Sequence, residues 1–105
     1  MNYWSVVFLP EAEKERASLD SSVRTQVDKA IRKVSQNPLP KSEGGYGNPL
    51  GNKQGKNFTG LLKIKLKKLG IRVVYRLVRD DEKMCIIVVA TRADDEAYEI
   101  ADERN

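Results

Sequence analysis

With 105 residues, 40% hydrophobic and 32% charged side chains and a formal charge of +4, the chain has room for one core and too much apolar content to stay disordered. It has no histidine and one cysteine, which removes intrachain disulfides, Ser-His and Cys-His mechanisms and the usual zinc donor sets. The apolar stretch Tyr3–Leu9 is too short for a secretory leader and no run approaches a membrane span, so one domain over residues 1–105, cytoplasmic and without membrane attachment, is expected.

Residues Asn2–Leu9 mix aromatic and β-branched side chains and read as a strand. Pro10 suits a first helical turn and is followed by Glu11, Glu13 and Glu15, which favour a helix N-terminus; this helix should reach about Leu19. Asp20-Ser21-Ser22 then offers cap residues to a second helix, with Val23, Val27, Ala30, Ile31 and Val34 forming its apolar stripe and Asn37-Pro38 its stop. The two helices should form an antiparallel hairpin. From Leu39 to Gly60 the chain holds six of its seven glycines and two of its four prolines, without periodicity, which marks a long loop. Three strands follow, Leu61–Lys67, Ile71–Val78 and Lys83–Ala90, arranged as an antiparallel meander. The last is apolar on both faces and should be central, with Cys85 buried in it as a small hydrophobe. Asp94–Arg104 reads as a short acidic helix. The expected fold is α+β, in the order β-α-α-β-β-β-α, with a four-stranded, mostly antiparallel sheet.

Charge is strongly sorted along this frame. Between Lys53 and Arg79 there are nine Lys or Arg and no Asp or Glu, whereas from Asp80 to Asn105 there are nine acids and three bases. Alternation in Leu62-Lys63-Ile64-Lys65-Leu66-Lys67 sends the aliphatic residues to one face and Lys63, Lys65 and Lys67 to the other. Arg72 and Arg76 repeat the pattern in the next strand. A row of like charges is self-repelling, and it fits a surface that meets a polyanion. A solvated sheet face, or an edge strand kept from aggregating by its lysines, has the same pattern. Lys67, Lys68 and Arg76 are candidate binding residues for such a polyanion on this surface.

The passage Leu61 to Arg76, with its Lys-Ile-Lys-Leu strand, Gly70 turn and Arg-Val-Val-Tyr strand, resembles the RelE/ParE superfamily of toxins from bacterial toxin–antitoxin operons, and the RelE branch in particular. Val89-Ala90-Thr91-Arg92-Ala93-Asp94-Asp95-Glu96-Ala97-Tyr98 resembles the end of that family, an Arg after the last strand and a Tyr in the C-terminal helix. The resemblance covers nearly the whole chain. It implies a RelE-like fold and a metal- and cofactor-free endoribonuclease that cuts mRNA in the ribosomal A site by attack of the ribose 2′-hydroxyl, leaving a 2′,3′-cyclic phosphate. It also implies a neutralising antitoxin, a toxin–antitoxin hetero-oligomer, a bacterial or archaeal cytoplasm, and Lys63, Lys65, Arg72, Arg92 and Tyr98 as the catalytic set. Asp94 departs from the family pattern, where a further Arg contacts RNA. A ParE-like gyrase inhibitor without nuclease activity is the alternative, and a plain RNA-binding module lacks the expected exposed aromatic platform.

The implied chemistry can run without histidine. Lys65, crowded by Lys63, Lys67 and Arg72, is placed to act as a base, because neighbouring cations disfavour its charged form. Lys63 would hold the phosphate or share that role, Arg72 would brace the phosphorane oxygens, and Arg92 would be a second clamp or proton donor. Tyr98 would stack on or orient a splayed base; alternatively it packs on the sheet, and Arg72 pairs with a carboxylate such as Glu96. The basic residues of the hairpin, Lys14, Arg16, Arg24, Lys29, Arg32 and Lys33, read as solvated helix faces that together could meet ribosomal RNA. The acidic C-terminal helix is expected to be covered or displaced when the antitoxin binds.

Overall fold

The computed structural model describes residues 3–50, 52–53, 56–57, 60–91 and 94–104. Strand β1 (Ser5–Phe8) leads into helices α1 (Pro10–Ala17) and α2 (Ser21–Ser35), and the loop region contributes short strands β2 (Asn48–Pro49), β3 (Asn52–Lys53) and β4 (Lys56–Asn57). Strands β5 (Leu61–Leu66), β6 (Ile71–Val78) and β7 (Lys83–Ala90) form the meander, and helix α3 (Asp94–Arg104) follows. The main sheet has the order β1-β7-β6-β5-β2. It therefore has five strands where four were expected: β2 pairs antiparallel with β5 through Asn48↔Lys63 and Pro49↔Leu62. β6 is the middle strand; β7, expected to be central, is interior, between β6 and β1, and β1 lies beside it in parallel.

Helix α1 has Pro10 at its start and acids in its first turn, where the missing donor and the negative charge cost least. The side chain of Arg24 ties the hairpin by donating to the carbonyls of Ala17 (3.0 Å) and Leu19 (2.8 Å) at the end of α1. Arg16 bridges to Asp28 on α2 through two bonds of 2.7 Å. These two arginines are thus structural, whereas Lys29, Arg32 and Lys33 are exposed.

Period-two alternation sorts the sheet into two faces. Leu62, Ile64, Ile71, Val73, Tyr75, Met84 and Ile86 pack under the hairpin against Ala12, Val27, Ile31 and Val34. Leu61, Val74, Ile87, Val88 and Ala90 pack on the other face against Ala97, Tyr98 and Ala101 of α3. The register shifts between Val74↔Val88 and Tyr75↔Ile86, leaving Ile87 as an extra residue. This bulge turns both Ile87 and Val88 toward α3. Cys85 is buried, as expected for an apolar strand residue.

The loop after α2 is pinned by its contacts. The fully buried hydroxyl of Tyr75 donates to the Pro38 carbonyl at 2.9 Å. Arg79 grips Glu43 with two bonds of 2.8 Å, and this pairing holds the Glu43 carboxyl below its ordinary value. The edge of β7 beyond β1 is closed differently. Pairing with β1 ends at Phe8↔Ile86, where the Leu9 amide still reaches the Ile86 carbonyl at 3.0 Å. Past that point the Val89 N–H donates to Glu15 Oε1 at 3.0 Å and the Ile87 carbonyl accepts from Arg104 Nη1 at 2.9 Å.

Candidate active site

Four cations share the α3 face of the sheet. Lys63 and Lys65 follow Leu61 at two-residue steps on β5, and Arg72 and Arg76 flank Val74 on β6. Lys65 and Arg72 are register partners, so their side chains rise from neighbouring positions about 4.5–5.5 Å apart at Cβ. Lys63, half-buried, stands opposite Val74 on one side and Asn48 of β2 on the other. Lys65 and Arg76 are exposed, and Arg72 is intermediate. The helical hairpin occupies the opposite face. Like charges converge here because β5 and β6 are joined by a tight turn that brings the basic side of one strand against the basic side of the next.

The C-terminal helix meets this row at Tyr98. Tyr98, only 1% exposed, accepts a hydrogen bond from Lys63 Nζ at 2.7 Å, and the same ammonium nitrogen lies 5.4 Å from the centroid of its ring. A hydroxyl acceptor and a π face acting together fix a flexible four-carbon side chain. Tyr98 therefore differs from the base-stacking residue expected. Its ring is packed on the sheet with Ala97 and Ala101 and offers no open face, and its hydroxyl holds Lys63 instead. Exposed Glu99, Asp102 and Glu103 give the rest of α3 its negative charge.

Other expected residues are distributed as follows. Lys67 leaves the cationic row, because β5 ends at Leu66 and Lys67–Leu69 form a 3-10 turn closed by Gly70 at φ 67°. A left-handed turn residue there favours glycine. Lys67 and Lys68 are exposed on that turn, where with Lys65, Leu66, Leu69 and Gln26 of α2 they line a shallow cavity of about 340 Å³. Arg92 lies outside the described residues, as do the side chains of Asp94 and Glu96. Among the described residues no cluster of three His, Cys, Asp or Glu is arranged to hold a metal ion, and no helix is long and apolar enough to cross a membrane. The Lys63–Tyr98 contact was not foreseen, since no local pattern couples a strand lysine to a helix tyrosine that far along the chain.

No family model matches the chain. It is 26% identical over 102 residues to a curated RelE-like toxin protein of Escherichia coli, covering 96% of both chains. The free-state structure of a double-arginine mutant of E. coli RelE superposes with a TM-score of 0.74 at 26% identity, covering 98% of each chain. RelE in the intact E. coli RelBE toxin–antitoxin complex superposes at 0.66, with 26% identity over 86% of this chain and 98% of that one. The chain is thus similar from end to end, in both sequence and fold, to RelE toxins of the RelE/ParE superfamily.

Proposed function

We propose that this toxin is a ribosome-dependent endoribonuclease that cleaves mRNA in the A site and is neutralised by a cognate antitoxin with which it forms a hetero-oligomer. The observation that carries the reading is the pairing of Lys65 with Arg72 on the sheet face that also holds Lys63. Lys65, exposed and next to a guanidinium, takes the proton from the ribose 2′-hydroxyl. The freed oxygen attacks the adjacent phosphorus. Arg72 donates to the phosphorane oxygens that gain charge, while Lys63, held by Tyr98, supplies a fixed cation to the same phosphate. The P–O5′ bond then breaks, giving a 2′,3′-cyclic phosphate and a 5′-hydroxyl, and the leaving oxygen takes a proton from Arg92 or water. Arg76 on β6, and Lys67 and Lys68 on the turn after β5, add further phosphate contacts.

This site lacks a strong base, and single-stranded mRNA seldom holds its 2′-oxygen, phosphorus and leaving oxygen in line. Positioning alone can supply ~7–11 kcal/mol of a barrier, and the ribosome provides it. An antitoxin partner is supported by the similarity to RelE in the RelBE complex. Primer extension on mRNA from cells expressing the protein tests the reading. Internal cuts at codons of ribosome-bound message are expected, with naked mRNA cut far more slowly. Equal rates on both would overturn the positioning argument, and gyrase-linked DNA breaks with intact mRNA would favour a ParE-like inhibitor.

A further inference from the structure

Helix α3 has 11 residues, short enough that it would be marginal in isolation. Its described buried side chains amount to two alanines and Tyr98. Its last residue is nonetheless held by an unusually complete set of contacts. Arg104 donates to both carboxylate oxygens of Glu15, at 2.9 and 3.0 Å, and to the Ile87 carbonyl at 2.9 Å. Glu15 in turn accepts the Val89 N–H at 3.0 Å. The pair fills the open edge of β7 beyond the end of β1, offering one acceptor and one donor where a strand would have offered both. It also ties α1, on one face of the sheet, to α3 on the other. Side-chain exposures of 18% for Arg104 and 29% for Glu15 leave the pair only partly screened by solvent.

The far end of this fixed segment is the site. Tyr98 lies six residues before Arg104, about 9 Å along the helix axis. Its hydroxyl is the hydrogen-bond partner of Lys63. We propose that Glu15 and Arg104 are positioning residues, an edge clamp that sets the placement of α3 and, through the Tyr98 hydroxyl, holds the Lys63 amine at the cationic face. Neither residue touches substrate. Losing the clamp loosens the last turns of α3, and Lys63 then swings over the several rotamers of an unrestrained lysine.

The assignment rests on the proposed role of Lys63 for its catalytic consequence, but not for its geometry, so two readouts are needed. The first is NMR of the free, full-length protein. With the Lys63 ammonium nitrogen 5.4 Å from the centroid of the Tyr98 ring, the adjoining side-chain methylene should carry a ring-current shift. That shift should collapse in Arg104→Met and weaken in Glu15→Gln, while the shifts of Lys65 and Arg72 stay. Amide exchange in α3 should rise at least tenfold in Arg104→Met. Arg104→Lys, which keeps the charge but can serve only part of the carboxylate–carbonyl pair, should restore the Lys63 signal in part. The second readout is single-turnover cleavage of mRNA on programmed ribosomes. There the maximal rate should fall about tenfold in Arg104→Met with half-saturation little changed.

If Lys63 keeps its shift in both Arg104→Met and Glu15→Gln, the clamp does not position it and the proposal fails. The proposal also fails if the wild type cleaves mRNA and a variant that has lost the shift cleaves it equally fast. If the wild type itself never cleaves mRNA, a shift lost in Arg104→Met supports the clamp geometry and overturns the nuclease reading instead. Should Arg104→Met fail to fold, Glu15→Gln, which preserves an acceptor for the Val89 N–H, decides the matter.

Discussion

Tyr75→Phe isolates one buried hydroxyl whose contribution has a defined pH dependence. Tyr75 is 0% exposed, and its O–H donates to the Pro38 carbonyl at 2.9 Å, fastening the loop after α2 to the sheet. Deleting the oxygen strands that carbonyl in an apolar setting, and the net cost of such a loss is ~1–2 kcal/mol. For a domain of this size, at about 4–8 °C per kcal/mol, Tm should fall by ~5–15 °C near neutral pH. Burial also pushes the Tyr75 phenol above its ordinary value. The unfolded chain therefore loses this proton first, near pH 10. The contribution is fully present below pH 10 and declines as pH rises beyond it, at a limiting slope of ~1.4 kcal/mol per pH unit. By pH 11.5 the wild type should have lost ~2 kcal/mol through this group alone. The Tyr75→Phe variant has no such proton, so the stability difference between the two proteins should close between pH 10 and 11.5. Titrations of lysines and other tyrosines are common to both and cancel. Urea unfolding at pH 8, 10, 11 and 11.5 measures the difference directly. A gap that stays constant over this range would refute both the burial argument and the linkage drawn from it.

Lys65→Ala and Arg72→Ala should each lower the single-turnover cleavage rate on ribosome-bound mRNA by ~100–1000-fold, while ribosome binding changes little because many other cations share that load. Unchanged rates in both would remove the proposed site. Gly45→Ala should destabilise by ~1–3 kcal/mol in urea unfolding, because the new methyl would fall on the Leu39 carbonyl group, 2.6 Å from its carbon, and that backbone has little room to yield. Arg24→Ala should cost ~1–2 kcal/mol and speed amide exchange at the α1–α2 junction, since the carbonyls of Ala17 and Leu19 lose their donor.

Where local chemistry dominates, the structure could be read from the residues. Alternation along β5 and β6 separated the cationic face from the core, and the unbroken apolar run of β7 marked an interior strand covered on both faces, although the middle of the sheet is β6. Helix ends shifted by a residue or two: α1 stops at Ala17 because Arg24 caps its carbonyls from the next helix, a tertiary contact. β2 was not legible, because two residues in a Gly- and Pro-rich loop have no alternation to show and become a strand only by lying against β5. Tyr98 had two open readings, stacking or packing, and the choice is made by the small residues Ala97 and Ala101 that let α3 approach the sheet. Glu15 looked like an ordinary first-helix acid. Its partner Arg104 is 89 positions away, and what unites them is the open edge of β7.

The parallel placement of β1 beside β7 also has a consequence for biogenesis. Ser5 is synthesised long before its strand neighbour Lys83, which lies beyond both helices, the loop and two further strands. At ~5–20 residues per second the first strand waits on the order of ten seconds for its partner, and so do the hairpin residues that pack against β7. Until then Val6 and Phe8 have no sheet beneath them, although their partners in the folded core include residues on both sides of that gap. The β5–β6 pair that carries Lys65 and Arg72 closes earlier, being local, but Lys63 acquires Tyr98 only when α3 docks. The cationic face thus gains a fixed Lys63 only after Tyr98, 35 positions further along the chain, has been made and α3 has docked, so the strand pair and its anchored lysine are separate events in biogenesis.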